Sequence, residues 1–256
     1  MRSTLVSIVV SAVLAASSLG SAAAAPETPA ASAALWPRQE PLKPVPTDRP
    51  LRAGFLVVDG VYDTELTAPL DILHHTVFHT EPGIEVFTVS AFGRPVTTFE
   101  GLTLTPDYGF DNHPAIDILV VPSAEHSMDS DLEDERLIAW VRETGRKATY
   151  VMSLCDGAFV LAKAGLLTGR HATTFPADQD RFAQMFPRVD LERQLSFVHD
   201  GPAITSVGGA RSFDPALYLV DLFYGQEVAA GVARGLVLPW PPQAEPFRAL
   251  VVEYGE

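Results

Sequence analysis

From Leu51 onward, short apolar runs alternate with stretches whose apolar positions recur at helical spacing. Apolar runs between polar or glycine residues are typical of buried strands, and the helical recurrence is typical of amphipathic helices. The pattern predicts strands over residues 51–58, 84–91, 116–121, 148–154 and 203–207, and helices over residues 66–75, 131–146, 158–164, 214–224 and 226–234. A hairpin-like segment is predicted over residues 95–105. Such alternation predicts right-handed βαβ crossovers and therefore an α/β fold with a mostly parallel sheet covered on both faces.

Both ends of the chain depart from this pattern. Arg2 precedes an apolar run over residues 5–16 and then the small residues 22–24, so residues 1–24 are predicted to be a secretory signal peptide. Residues 25–50 are rich in alanine and proline and are predicted to form an arm or linker before a single domain over residues 51–236. Residues 237–256 form a tail without an assigned structure. We therefore expect a periplasmic or secreted protein.

The formal net charge of −14 limits the partners that we expect. Such a charge repels nucleic acid and anionic membrane surfaces, so small-molecule substrates or ligands are favoured. No stretch after the predicted signal peptide is apolar over the roughly 18 residues that a transmembrane helix needs. We predict no nucleic-acid partner and no membrane partner.

The single cysteine, Cys155, lies where a predicted strand runs directly into a predicted helix. That arrangement is typical of a nucleophile elbow, in which a sharp turn holds the side chain above the carboxyl ends of the strands and Gly157 permits close packing. The helix N-terminus would stabilise a thiolate, whereas the carboxylate of Asp156 would oppose its formation. The alternative is that Cys155 is an inert buried residue, since cysteine is among the most buried residue types.

Several motifs in this order resemble the ThiJ/PfpI superfamily, also called the DJ-1 family. They are Ser-Leu-Cys-Asp-Gly-Ala at residues 153–158, the segments 164–170 and 172–174, and the outlying segments 63–71 and 204–209. The resemblance implies a flavodoxin-like three-layer α/β sandwich of the class I glutamine amidotransferase-like type. Within the superfamily, the chain is most similar to isonitrile hydratases and to the sensor domains of certain transcription activators. Relatives are commonly homodimers, so we expect a homodimer.

The resemblance also assigns site residues. Glu65 matches the acidic residue that hydrogen-bonds the nucleophilic sulfur, and a carboxyl group beside a thiolate is a plausible general acid. Asp156 is a candidate base. The substrate pocket is expected to include Ser123, Ala124 and Phe175, and also His126 because it follows the strand predicted over residues 116–121.

Two positions depart from the family pattern. Phe175 stands where many relatives have a histidine beside the cysteine, and Ser123-Ala124 stands where a Gly-Gly pair usually helps to build an oxyanion hole. These losses count against peptide or amide hydrolysis. His75 and His79 have the spacing of paired helical metal ligands but lack the glutamate of a His-Glu-x-x-His motif, so we predict no metal. No phosphate-binding loop is present, and we predict no cofactor.

The sequence leaves three functional hypotheses open. The first is a cofactor-free hydro-lyase or hydrolase that acts on a small electrophile, with isonitrile hydration as the nearest example. The second is a redox-sensing or chaperone-like protein whose Cys155 is oxidised to a sulfinate. The third is a ligand-binding module that kept the pocket and lost the chemistry.

Overall fold

The central feature of the fold is an eight-stranded sheet, seen in a computed structural model that describes residues 39–241 and 248–253. The predicted signal peptide and the first part of the predicted arm lie outside the described residues. Within the described residues, no helix is long and apolar enough to cross a membrane.

Twelve strands and seven α-helices follow one another along the described chain. The strands are β1 (Leu51–Leu56), β2 (Ile84–Ser90), β3 (Val96–Thr97), β4 (Thr103–Leu104), β5 (Tyr108–Gly109), β6 (Ile118–Val121), β7 (Tyr150–Leu154), β8 (His171–Ala172), β9 (Asp190–Leu191), β10 (Phe197–Asp200), β11 (Ala203–Ser206) and β12 (Ala249–Val251). The helices are α1 (Asp63–His75), α2 (Ser130–Glu133), α3 (Glu135–Lys147), α4 (Gly157–Lys163), α5 (Gln179–Met185), α6 (Phe213–Tyr224) and α7 (Gln226–Gly235).

The main sheet has the strand order β12-β10-β11-β7-β6-β1-β2-β5. Its strands from β11 to β5 pair in parallel, and β10 pairs antiparallel with β11. The sequence pattern predicted this mostly parallel sheet, and the prediction is confirmed. Because the parallel strands point the same way, the loops after β1, β6, β7 and β11 meet at one carboxyl edge, where ligands bind in open α/β sheets.

Each face of the sheet is covered by its own hydrophobic core. On one face, Ile72 of α1, Leu219 of α6 and Val232 of α7 pack against strand residues such as Phe55 and Met152. On the other face, Val141 of α3, Phe159 of α4 and Phe182 of α5 pack against strand residues such as Leu119. The sheet and its two helical layers form the predicted three-layer α/β sandwich.

Two helices differ from their predicted bounds for local reasons. The helix predicted over residues 131–146 is two helices, because the Asp134 side chain accepts hydrogen bonds from the backbone N–H groups of Arg136 and Leu137 and starts α3 afresh. Helix α1 begins at Asp63 instead of residue 66 and places Glu65 in its first turn.

Part of the unassigned tail joins the main sheet. Strand β12 pairs in parallel with β10, and β10 itself was not predicted. The two strands extend the sheet beyond β11, the last strand that the sequence pattern predicted.

The described part of the predicted arm, residues 39–50, lies against the amino edge of the sheet. Arg49 makes two hydrogen bonds to the Asp117 carboxylate, at 2.6 and 2.9 Å, and the Leu42 N–H donates to the Tyr150 hydroxyl at 2.8 Å. A cavity of about 150 Å³ lies between the arm and the starts of the strands. This segment is therefore attached to the domain at the edge opposite Cys155.

Candidate functional site

Cys155 lies in the sharp turn between β7 and α4, as the elbow prediction requires. Its backbone has a φ of 53°, in the left-handed region that is rare for a residue with a side chain. The Cys155 N–H donates to the Ser206 carbonyl at 3.0 Å, which ties the turn to the end of β11. A non-glycine residue held in this conformation is a feature of functional sites, where the surrounding structure maintains the strain.

Two glycines make room for the turn. A Cβ atom on Gly157 would overlap the Val121 carbonyl oxygen and lie 3.0 Å from that of Pro122, so α4 packs closely on the end of β6. A Cβ atom on Gly208 would overlap that of Cys155 and lie 2.8 Å from the Cys155 nitrogen. Gly208 also has a φ of 80°. The elbow therefore depends on two backbones that approach it without side chains.

Asp156 accepts a hydrogen bond from the thiol, and the Thr174 hydroxyl bonds Asp156 in turn. The Cys155 Sγ lies 3.8 Å from Asp156 Oδ2, with the thiol as donor. The Thr174 hydroxyl lies 3.0 Å from Asp156 Oδ1 and also 3.0 Å from the Cys155 carbonyl oxygen. Asp156 thus follows Cys155 directly in sequence and also accepts the hydrogen bond of its thiol.

Burial raises the pKa of the Cys155 thiol, and the charges of Asp156 and Glu65 raise it further. The Ser123 hydroxyl and the Asp156 backbone N–H act in the opposite direction and do not compensate. From sequence, the helix N-terminus was expected to favour a partly ionised thiol. That expectation is wrong, because Cys155 is buried beside two carboxyl groups. The resting residue is a neutral thiol that needs a base.

Asp156 has the properties of such a base. Burial, the largest effect, and the nearby Asp178 raise the pKa of Asp156 to about 6, while hydrogen bonds from Thr174 and Cys155 limit the rise. A carboxyl group with that pKa is ionised at neutral pH and is a better proton acceptor than an ordinary aspartate.

Glu65 lies in the same site but has a different hydrogen-bond partner from the one expected. Its Oε1 accepts from the Gly209 N–H at 2.9 Å, and among the described residues it makes no hydrogen bond to sulfur. Glu65 is buried, and a charge on its carboxyl group would raise the pKa of Cys155, Asp156 and Tyr62. The turn at Gly208 and Gly209 therefore contacts both Cys155 and Glu65.

The predicted pocket residues fall into two groups. Ser123 and Ala124 are buried after β6, and the Ser123 hydroxyl makes no hydrogen bond to a nitrogen or oxygen of the described residues. The Ala124 N–H already donates to Ser127 Oγ at 2.8 Å, so it is not free to serve as an oxyanion donor. Phe175 follows Thr174 directly and is 41% exposed. These three residues lie on the loops that carry the site.

His126 is oriented away from this group. Its side chain is 51% exposed and is paired with carboxylates of its own loop, at 3.5 Å to Asp129 and 4.0 Å to Glu125. The side chain of His171, three residues before Thr174, lies 2.7 Å from the Glu192 carboxylate.

Sequence reasoning missed two residues of the site. Thr174 was noted only as part of a motif, although its hydroxyl joins Cys155 to Asp156. Tyr62 precedes α1, donates its backbone N–H to the Ser123 carbonyl and packs against Phe99 in a tilted arrangement, with ring centroids 4.6 Å apart. Burial and the charges around Cys155 raise the pKa of Tyr62. Its position directly before the motif segment 63–71 could have indicated that Tyr62 belongs to the site.

Metal binding has no support in the described part of the chain. No group of three or more histidine, cysteine, aspartate or glutamate side chains there could hold an ion. His75, considered above, instead pairs with Asp71 at 2.9 Å.

The turn, the buried cysteine and the adjacent carboxyl groups define a nucleophile-elbow α/β protein. The DJ-1/PfpI family matches the chain over residues 51–222. Isonitrile hydratase from Pseudomonas putida is 33% identical over 193 residues, which cover 75% of this chain and 81% of the hydratase. The chain belongs to the DJ-1/PfpI family.

Two further similarities place the chain among its relatives. The HTH-type transcriptional regulator GbdR of Pseudomonas aeruginosa is 29% identical over 188 residues, which cover 72% of this chain and 50% of the regulator. A ThiJ/PfpI family protein from Pseudomonas syringae matches in structure with a TM-score of 0.68 and 25% identity, covering 78% of this chain and 79% of that one. The chain thus resembles both an enzyme and half of a regulator.

Proposed function

We propose that this protein is a cofactor-free, cysteine-dependent hydratase that acts on a small electrophile, and that its substrates are isonitriles. The observation that carries the proposal is the contact between the strained Cys155 and Asp156, which supplies a nucleophile and its base without a histidine. The similarity to isonitrile hydratase over most of that protein's length supports the choice of substrate. The net charge of −14 favours a neutral small molecule over nucleic acid.

In the first half of the reaction, Asp156 takes the thiol proton as the sulfur bonds to the terminal carbon of the isonitrile. The Glu65 carboxyl delivers a proton to that same carbon. The product is a thioimidate, in which carbon is bonded to sulfur, to hydrogen and, through a double bond, to nitrogen. Gly209 holds Oε1 of Glu65, which leaves Oε2 to carry and deliver the proton.

In the second half, water adds to the thioimidate carbon. Glu65 accepts the proton of the water and is restored, while Asp156 protonates the nitrogen and is also restored. The tetrahedral adduct then forms the carbonyl and expels the sulfur, which recovers the hydroxyl proton through Asp156. One water is consumed, an N-substituted formamide leaves, and Cys155 is again a thiol.

A ligand-binding module is the second candidate function. The match to half of a transcriptional regulator favours it, because a related domain there accompanies a second one. Redox sensing has less support, because the thiolate is the form that peroxide oxidises and the site raises the pKa of Cys155.

Export and homodimer formation remain part of the proposal. The charged start, apolar run and small residues of segment 1–24 support export to the periplasm or beyond. Mass spectrometry of the N-terminus from cell fractions tests it. An intact N-terminus on cytoplasmic protein would contradict export, and a monomeric mass in sedimentation would contradict the dimer.

Turnover of a panel of alkyl and aryl isonitriles, followed by NMR detection of the formamide, tests the main proposal. We expect Cys155→Ala to lower kcat/KM at least ~10³-fold, and Glu65→Gln about 10²-fold or more because glutamine cannot transfer a proton. His126→Ala is the matched control and should retain activity. Saturable isonitrile binding without formamide would instead identify a binding module.

A further inference from the structure

The Thr174 hydroxyl has one proton and two acceptors. Its Oγ1 lies 3.0 Å from the Cys155 carbonyl oxygen and 3.0 Å from Asp156 Oδ1. Thr174 is fully buried, so solvent does not supply a further partner. A threonine hydroxyl can donate only one hydrogen bond of full strength, and both of these neighbours are acceptors while Asp156 is ionised. The hydroxyl can therefore donate a full hydrogen bond to only one of these two oxygens at a time.

We propose that Thr174 is the positioning residue of the Cys155–Asp156 pair. Its hydroxyl holds Asp156 Oδ1, so that Oδ2 faces the sulfur at 3.8 Å, and it turns to the Cys155 carbonyl when Asp156 becomes protonated. This inference deepens the proposed function, since it rests on Asp156 acting as the base.

The two states balance in protons. Before transfer, Sγ carries its proton, Asp156 is ionised, and the Thr174 hydroxyl donates to Oδ1, the stronger acceptor. After transfer, the proton lies on Asp156, and the neutral carboxyl is a weaker acceptor than a peptide carbonyl. The Thr174 proton stays on Oγ1 and changes only its acceptor. The buried polar groups thus keep a partner in both states, which limits the cost of moving charge inside the site.

The Thr174 hydroxyl matters because most groups around Asp156 disfavour its charged form. Burial, Asp178 and a charge on Glu65 disfavour a charge on Asp156, and a charge on Asp156 in turn raises the pKa of Tyr62 at the start of α1. Thr174 and Cys155 are the side chains that hydrogen-bond the Asp156 carboxylate. Gln179 bonds the Thr174 carbonyl and the Thr173 hydroxyl, both at 3.3 Å, and holds this segment in place.

The test is the rate of Cys155 alkylation by iodoacetamide between pH 4.5 and 9 in the full chain. The wild type should show a step near pH 6, as Asp156 ionises and becomes a base. In Thr174→Val, the step should move at least about half a pH unit higher, and the rate at pH 6 should fall at least about twofold. Thr174→Ser, which keeps the hydroxyl, should restore the wild-type profile.

Thr173→Val is the matched control, because it removes a neighbouring buried hydroxyl that does not contact Asp156. Its step should stay in place. An unmoved step in Thr174→Val, or an equal movement in Thr173→Val, overturns the inference.

Alkylation needs no isonitrile, so the two proposals fail separately. A Thr174-dependent step without turnover would refute the hydratase and leave the inference standing. If the wild-type profile shows no step, or if the step persists in Asp156→Asn, the inference is refuted whether or not isonitriles are converted.

Discussion

The two edges of the central sheet shift the pKa of a carboxyl group in opposite directions. At the carboxyl edge, Asp156 is held by a threonine hydroxyl and a thiol, and burial with neighbouring negative charge raises its pKa to about 6. At the amino edge, burial alone would raise the pKa of Asp117. The Arg49 guanidinium and the Arg52 N–H outweigh that effect, and the pKa is lowered.

This difference contrasts the edge that carries the proposed site with the edge that holds the arm. The amino edge satisfies its charge with a cation and a backbone donor, so it contributes to stability at neutral pH. The carboxyl edge keeps an uncompensated carboxylate and a cysteine with a φ of 53°, both of which reduce stability. The surrounding fold must therefore hold the turn at Cys155 in place, and it does so through the close packing at Gly157 and Gly208.

The largest effect is expected from filling the space beside the elbow. Gly208 and Gly165 have nearly the same φ, 80° and 79°, but a Cβ atom on Gly208 would overlap Cys155, whereas one on Gly165 would meet nothing within 4 Å. We expect Gly165→Ala to lower the free energy of unfolding by about 1 kcal/mol through its backbone alone. Gly208→Ala adds an overlap with the elbow and should cost about 3–4 kcal/mol in total. Urea denaturation of both variants measures the difference.

Equal losses in the two alanine variants would contradict this reading of the elbow. They would mean that the turn relaxes around a new methyl group without strain. A Gly208→Ala protein that keeps wild-type alkylation of Cys155 would point to the same conclusion.

Much of the fold was predictable because apolar runs mark buried strands directly. Strand β10 was not predictable in this way, since Phe197–Asp200 includes two polar residues that are buried only because tertiary partners satisfy them. His199 bonds the Tyr218 hydroxyl at 2.7 Å, and Asp200 accepts from the His171 N–H at 2.7 Å. These partners are distant in sequence, so no local pattern reveals them.

The elbow was predictable, but its electrostatics were not. A cysteine between a strand and a glycine-started helix gives the turn, and Cys155 confirms it. The pKa of its thiol depends on how deeply the site is buried and on which carboxyl groups approach, and both depend on the whole sheet. Thr174 and Gly208 belong to the site through long-range contacts of the same kind.

A smaller effect is expected when Asp156 is made neutral. Because the folded-state pKa is raised, the stability from protonated Asp156 is complete below about pH 4 and is lost as pH rises through about 6. Asp156→Asn should therefore have a free energy of unfolding about 3 kcal/mol above that of the wild type at pH 7, and little difference at pH 4. Urea titrations at several pH values measure it. A variant that is less stable at pH 7 would contradict the raised pKa.

The smallest effect is expected at the amino edge, in a double-mutant cycle of Arg49→Met and Asp117→Asn. Because the folded-state pKa of Asp117 is lowered, its contribution is present above about pH 4 and is lost as pH falls through the folded value. Arg49 is 41% exposed in its side chain, so solvent screening limits the coupling to about 0.5–1 kcal/mol at pH 7. The coupling should shrink in high salt and should weaken as the pH falls below about 4, as measured by urea denaturation. A coupling that depends neither on salt nor on pH would show that the arm is held by packing at this point and not by charge.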